Sequence, residues 1–301
     1  MRFKIDLSES EQRLDKWIKR KFNKLPQNLL EKLARKGKIK LNKKKIKLSY
    51  KLKVGDVIET PNFIIKKKNV VKKKNGKLNS LKNIIKKNIL HKDKEKIIIN
   101  KPAGIAVHKG TKTSLSIDDL KDDLKFSFEE NPRIIHRIDK ETSGLLVIAR
   151  TYKSSVYLSK QFKERKVKKT YFAILNGVPK KTKGLINEKI DNSKNKDAVT
   201  KYEVLKKIGN KLSIVLLYPL TGRKRQIREH CFQLGCPVIG DKKFYKQNNK
   251  KFLFDSKNLL LHAYKLEFIK ENLSKEEFKA PIPEYIKKFC ISYKIILKNI
   301  F

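Results

Sequence analysis

From Leu14 the apolar positions recur at helical intervals, as Leu14, Trp17, Ile18, Phe22 and Leu25, and Ser8 with Glu11 ahead of them has capping-box spacing. This pattern predicts a helix. Pro26 is placed to open a second one, with Leu29, Leu30 and Leu33 as its apolar face and Gly37 as its stop. Alternation then takes over. Ile39 and Leu41, the polar stretch Asn42 to Lys45, and Ile46 with Leu48 predict a short hairpin. Two helices and a small sheet make a module of about 50 residues, near the lower size limit for independent stability. From Pro61 to about Leu90 the pattern breaks into lysine runs, Lys66 to Lys68 and Lys72 to Lys74, around Asn75 and Gly76. The expectation there is a basic linker over residues 61–90, flexible or ordered only on binding.

Beyond His91 strands and helices interleave. Ile97 to Ile99 reads as a short buried strand closed by the turn Lys101, Pro102, Ala103 and Gly104. Ile134 and Ile135 lead into His136, Arg137, Ile138 and Asp139, and a further apolar run, Leu145 to Ala149, follows Gly144. A helix is predicted from about Ser154 to Lys166, then strands near Tyr171–Leu175, Thr200–Leu205 and Leu212–Leu217. Gly222 is placed to open another helix, with Ile227, Cys231 and Leu234 on its apolar side and Gly235 as its stop. Many strands with few helices predict an α+β domain over 91–301 built on a mostly antiparallel sheet.

Charge changes the picture. Lys and Arg number 76 against 30 Asp and Glu, a net charge of +46 over 301 residues. Such a field draws polyanions and repels cationic partners, which makes nucleic acid the leading partner. Lysine supplies 65 of the cations, and an AT-rich genome would favour lysine without any selection for binding. Arginine is more informative, because its planar five-donor fork does what lysine cannot at a phosphate or carboxylate. Of the 11 arginines, six fall within residues 131–150 and 221–230: Arg133, Arg137, Arg150, Arg223, Arg225 and Arg228. Those two segments mark the chemical centre. The three cysteines form no CxxC pair, which argues against a disulfide framework or a zinc site. With no long apolar run and no signal-peptide core at the start, the expected setting is the cytoplasm, away from membranes.

The first constellation is HRIDKETSG at 136–144. If the strand runs on through Arg137, period-two alternation places Arg137 and Asp139 on one side and His136 with Ile138 on the other. The second is TGRKRQIREH at 221–230, where helical spacing sets Arg225 with Arg228 and Gln226 with His230. Tyr171 in KKTYFAIL is the third. Taken singly, each has a bland reading: a solvated turn, a solvated basic helix face, a core tyrosine.

Taken together, INKPAGIAVHKG (99–110), HRIDKETSGLLVIAR (136–150), KKTYFAIL (168–175), TGRKRQIREH (221–230) and LHAYKLEF (261–268) resemble the ordered motifs of the ribosomal large-subunit pseudouridine synthases, the RluA family. Residues 13–59 resemble the S4 RNA-binding module that precedes the catalytic domain in the RluC-like subgroup. The resemblance implies an S4-like domain over 1–60, a catalytic domain over 91–301, and isomerisation of uridines in 23S rRNA. It implies that Asp139 is the nucleophile, that Arg228 keeps it ionised and oriented, and that Tyr171 packs on the uracil. Arg137 would help displace the target base, with His136, Arg223, Arg225 and Gln226 as further RNA contacts; in the first module these would be Arg13, Lys36, Lys38 and Lys43. Many relatives carry His where Arg225 stands. Ile138 replaces the usual Leu. A carboxylate can serve either as a covalent catalyst or as a stabiliser of positive charge on the sugar, and both routes stay open for Asp139. Extrusion of the base is required because a stacked uracil cannot present itself to a side chain. No oxidation state changes, so neither cofactor nor metal is expected. The expected partner is 23S rRNA or a large-subunit assembly intermediate, with the chain acting as a monomer without an obligate protein partner. A catalytically silent RNA-binding factor and a metal-dependent nuclease are the alternatives. The intact Asp139, Tyr171 and Arg228 count against the first. The acidic group Asp118, Asp119, Asp122 and Asp123, which reads as a polar loop or helix face, counts against the second.

Overall fold

A computed structural model of the chain describes residues 1–6, 9–22, 25–62, 72–110, 115–190, 197–245, 254–270 and 274–297. The chain divides into two compact units, Met1–Val71 and Lys72–Phe301.

The first unit comprises β1 (Arg2–Lys4), α1 (Leu14–Lys21), α2 (Gln27–Arg35), β2 (Lys40–Leu41), β3 (Lys44–Lys45) and β4 (Val57–Glu59). Its strands form an antiparallel sheet in the order β1-β4-β2-β3. The apolar stripe read from the sequence is its core: Leu14, Trp17, Ile18, Leu30, Ile39 and Ile58 are all fully buried. Helix α1 starts at Leu14 behind Arg13, without a side-chain cap, and Ser8 of the expected capping box lies outside the described residues. In α2 the buried face is Leu30 with Ala34, and Leu29 points outward. The hairpin turn is Asn42–Lys43, both with positive φ, the conformation that a two-residue turn between twisted strands requires.

The second unit begins with a correction. Residues 72–90, expected to be linker, form α3 (Lys72–Lys87) and the start of β5 (Ile89–Lys92). Leu78, Leu81 and Ile85, at i, i+3 and i+7, pack α3 into the same core as Ile97, Ile99 and Leu120. The lysines around that stripe hid its period. There follow β6 (Lys96–Lys101), a 3-10 turn (Ile117–Leu120), β7 (Arg133–Ile134), β8 (Ser143–Ala149), α4 (Tyr152–Lys163), β9 (Lys168–Asn176) and β10 (Lys183–Ile186). The unit continues with β11 (Thr200–Ile208), β12 (Leu212–Pro219), α5 (Gln226–Gln233), α6 (Lys242–Tyr245), β13 (Leu261–Ile269), β14 (Lys275–Lys279) and α7 (Glu284–Ser292).

Among the described residues ten strands make one sheet in the order β10-β11-β12-β9-β13-β8-β6-β5, with β14 on β13 and β7 on β8. Every described pairing in it is antiparallel except a short parallel contact of β13 with β8. The unit is therefore α+β, as the pattern predicts. The central strands are apolar on both faces; β8 is buried along its whole length, with Ile148 in one core cluster and Val147 in another.

Candidate active site

Sheet register sets the site. Tyr171 of β9 lies opposite Ala263 of β13, Ala263 opposite Gly144 of β8, and Gly144 opposite Lys101 of β6. Gly144 has φ 110, and a Cβ there would fall on the Ala263 main chain, so only glycine lets β8 and β13 come together at this point. The segment carrying Asp139 enters at the end of this row. It does so off the sheet. Strand β7 stops at Ile134, and the next backbone donor of β8, the Val147 N–H, is taken by the His136 ring at Nε2 (2.9 Å) in place of a main-chain carbonyl. The chain therefore leaves the ladder before Arg137, and strand alternation does not orient the motif. Instead Arg137 is exposed, Ile138 is buried in the core, and Asp139 is half-buried.

The loop is anchored from below. Lys101 is fully buried, and its Nζ donates to the carbonyls of Pro102 (2.9 Å), Ile105 (2.9 Å) and Lys140 (3.2 Å). The Lys140 carbonyl also accepts from the Gly104 N–H at 2.8 Å. Burial brings the Lys101 pKa down to about 7, against the opposing pull of Glu141 and Asp139.

Arg228 of α5 meets three carboxylates. Its Nε and one terminal nitrogen make a fork onto Asp241 at 2.6 and 2.7 Å, and the other terminal nitrogen lies 3.5 Å from Asp139 and 3.7 Å from Glu141. Asp241 is fully buried and Arg228 nearly so. Burial alone would lower the Arg228 pKa; the hydrogen bonds and charge of Asp241, then the charges of Asp139 and Glu141, raise it overall. The guanidinium thus stays charged, held by Asp241 and directed at Asp139. At 3.5 Å the Asp139 contact is an ion pair too long for a strong hydrogen bond. The Tyr171 hydroxyl has its pKa pushed up by burial and by the charge of Asp139, so it remains protonated. Asp139, Tyr171 and Arg228 line one cavity of about 610 Å³ together with Arg137, Arg223 and Arg225.

Of the other expected contacts, His136 and Gln226 serve the scaffold. The His136 ring stacks on Phe162 at 4.3 Å, and burial, helped by Lys169, lowers its pKa to about 3. Gln226 is 3% exposed and its amide is spent internally: Oε1 accepts from Thr221 Oγ1 and the Arg223 N–H, and Nε2 donates to the Val199 carbonyl and Thr200 Oγ1. Its amide ties the 221–223 loop to β11, and the residue also lines the cavity. Arg225 precedes α5 in the left-handed region (φ 59), so the expected pairing of Arg225 with Arg228 along one helix face does not form. Arg223 donates to the Asp197 carbonyl at 3.2 Å. In the first unit Arg13 is forked onto Asp15, whereas Lys36, Lys38 and Lys43 are exposed.

Sequence reasoning missed Asp241, Lys101 and four cavity-lining cations, Lys163, Arg165, Lys169 and Lys224. Lys169 was within reach, since it stands two residues before Tyr171 on the same strand face. Burial lowers its pKa to about 8, and its Nζ donates to the Thr221 carbonyl. Among the described residues His91, Asp93 and Glu276 have metal-ligand spacing, but the Lys96 ammonium already bridges the two carboxylates at 3.1 and 2.9 Å.

The neutral His136 gives a pH prediction. Its folded pKa is below the unfolded value of about 6.5, so the unfolded chain binds the extra proton as pH falls through 6.5 toward 3, and stability is lost over that window. His136→Gln retains an acceptor for Val147 but does not titrate. The variant is expected to be less stable than wild type at pH 7.5 and to recover up to about 2 kcal/mol of that difference at pH 5. Urea unfolding of both proteins at the two pH values checks this; an unchanged difference would refute it.

A family model described as RNA pseudouridylate synthase matches residues 95–233, and the S4 domain model matches residues 12–58. Among solved structures, the human protein RNA pseudouridylate synthase domain containing 4 superposes with a TM-score of 0.62 at 26% identity, over 73% of this chain and 97% of its own. The fold is that of a pseudouridine synthase. The ribosomal large subunit pseudouridine synthase C of Rickettsia conorii is 36% identical over 92% of this chain and 95% of its own, and that of Buchnera aphidicola from Schizaphis graminum is 34% identical over 92% of each. The chain belongs to the ribosomal large-subunit pseudouridine synthases, a family of isomerases that carries an S4 domain here. No helix among the described residues is long and apolar enough to cross a membrane.

Proposed function

We propose that the chain converts specific uridines of 23S ribosomal RNA to pseudouridine, with Asp139 as the nucleophile once the target nucleotide is turned out of its stack. The observation that carries this reading is the Asp139 carboxylate on the lining of a nucleotide-sized cavity, 3.5 Å from a guanidinium that Asp241 holds in place. In the reaction the bond from ribose C1′ to uracil N1 breaks, the base turns, a bond from C1′ to C5 forms, and the C5 proton leaves while N1 gains one. Asp139 stabilises the sugar or the base through this exchange. Tyr171, kept protonated, packs against the extruded uracil near C5. Arg137, exposed beside Asp139, fills the space the base vacates. Arg223, Arg225 and Lys169 face the phosphates that flank the flipped nucleotide, where positive charge offsets the cost of extrusion. Lys36, Lys38 and Lys43 give the S4 unit an exposed cationic surface for docking to the same RNA. The chain works as a monomer in the cytoplasm, where the ribosome is assembled.

The test uses large-subunit RNA labelled with tritium at uracil C5, free and in precursor particles. The protein should release tritium to water and leave pseudouridine at a small set of mapped positions. Absence of release from both substrates would sink the reading.

A further inference from the structure

The corrected segment, α3, carries seven lysines and no carboxylate, and it falls between the residues matched by the two family models. Because Leu78, Leu81 and Ile85 fix one side of it to the core, the opposite side is held in a set orientation, with Lys77, Lys86 and Lys87 exposed. Beside its C-terminal end stands Phe126, 38% exposed, with φ 54, a conformation seldom adopted by a bulky side chain. The Lys92 and Lys86 ammonium groups lie 4.2 and 5.5 Å from its ring centroid. Arg150 anchors the loop. Its guanidinium stacks 3.7 Å from the centre of Phe128, lies 5.9 Å from that of Phe126, and donates to the carbonyls of Asp93 and Lys125.

Several neighbouring carboxylates are already neutralised locally: Asp123 by Lys82, Asp118 by Lys121 and Glu130 by Arg133. Asp122 and Glu129 are exposed. Lys77, Lys86, Lys87 and Lys92 make no ion pair among the described residues. The result is an exposed aromatic ring ringed by uncommitted cations, on residues that do not line the reaction cavity.

We propose that this face is a second contact for the RNA substrate, with phosphates against Lys86, Lys87 and Lys92 and an unpaired base stacked on Phe126. The inference rests on the reading that RNA is the substrate. Mobile lysine side chains can leave the ring for phosphate oxygens, which opens the π face to a base. A duplex fits poorly, because its bases are already stacked on one another; a loop or single strand offers both the free base and the phosphates.

The experiment measures binding of the full chain to a 23S fragment on which it releases tritium, over a range of salt concentrations. Lys86→Gln, Lys87→Gln and Lys92→Gln combined should make the slope of log affinity against log salt shallower by about two, given roughly 0.7 per phosphate contact on single strands. Phe126→Leu should weaken binding about tenfold and leave the slope as it was. Turnover at saturating RNA should be unchanged in both, which also shows that they are folded. A triple variant of Lys180, Lys181 and Lys207 to Gln, exposed residues of the same unit, carries the same charge change and should alter the slope by less than one. If the two triple variants behave alike, or Phe126→Leu binds as wild type does, the proposal is overturned. Failure of the wild-type chain to release tritium at all would instead remove the reading beneath it.

Discussion

Asp139→Asn is expected to lower pseudouridine formation by more than about a thousandfold while RNA binding stays within about threefold of wild type. The amide keeps the size and hydrogen-bonding shape of the carboxylate but neither donates an electron pair effectively nor carries charge to offset a positive sugar. It also ends the ion pair with Arg228, which remains fixed by Asp241, so the scaffold is undisturbed. Tritium release under single-turnover conditions, with binding measured on the same RNA, separates the two effects. Turnover within tenfold of wild type would remove Asp139 from the chemistry.

Asp241→Asn is expected to cost about 3–5 kcal/mol of stability, because it leaves the Arg228 guanidinium buried without the partner that takes two of its hydrogen bonds. It also loses a charged acceptor for the N–H groups of Lys243 and Phe244 at the start of α6. Replacing both partners together, Asp241→Leu with Arg228→Met, should cost less than the single change, since no uncompensated charge stays inside. Urea unfolding of the single and double variants gives the comparison. A single variant as stable as wild type would show that the pair does not hold α5. The double variant, lacking the guanidinium beside Asp139, should be nearly inactive even though it is the better folded.

Much of this was legible from residue spacing, and the exceptions share a cause. The helices of the S4 unit and strands β6, β8, β9 and β12 follow from apolar period alone, because each buries a continuous stripe or run. Helix α3 was missed because the lysines flanking Leu78, Leu81 and Ile85 resemble a solvated tract unless the stripe is singled out. Asp139, Tyr171 and Arg228 stood out through motif resemblance, not through geometry: β7 ends at Ile134, so alternation could not place Asp139. Asp241 left no mark, since its bond to Arg228 spans 13 positions across a turn and obeys no helical or strand period. The junction that the Gln226 amide completes could not be read either, since its partners at 199 and 200 lie far along the chain.

Arg228 reaches Asp139 from the protein interior. On the cavity they share, Arg137 is exposed and Arg223 and Arg225 are half-buried, whereas Arg228 is buried and committed to Asp241. On the proposed reading, attraction for the strand and custody of the reactive group fall to different cations, and tightening the grip on RNA need not loosen the hold on the carboxylate.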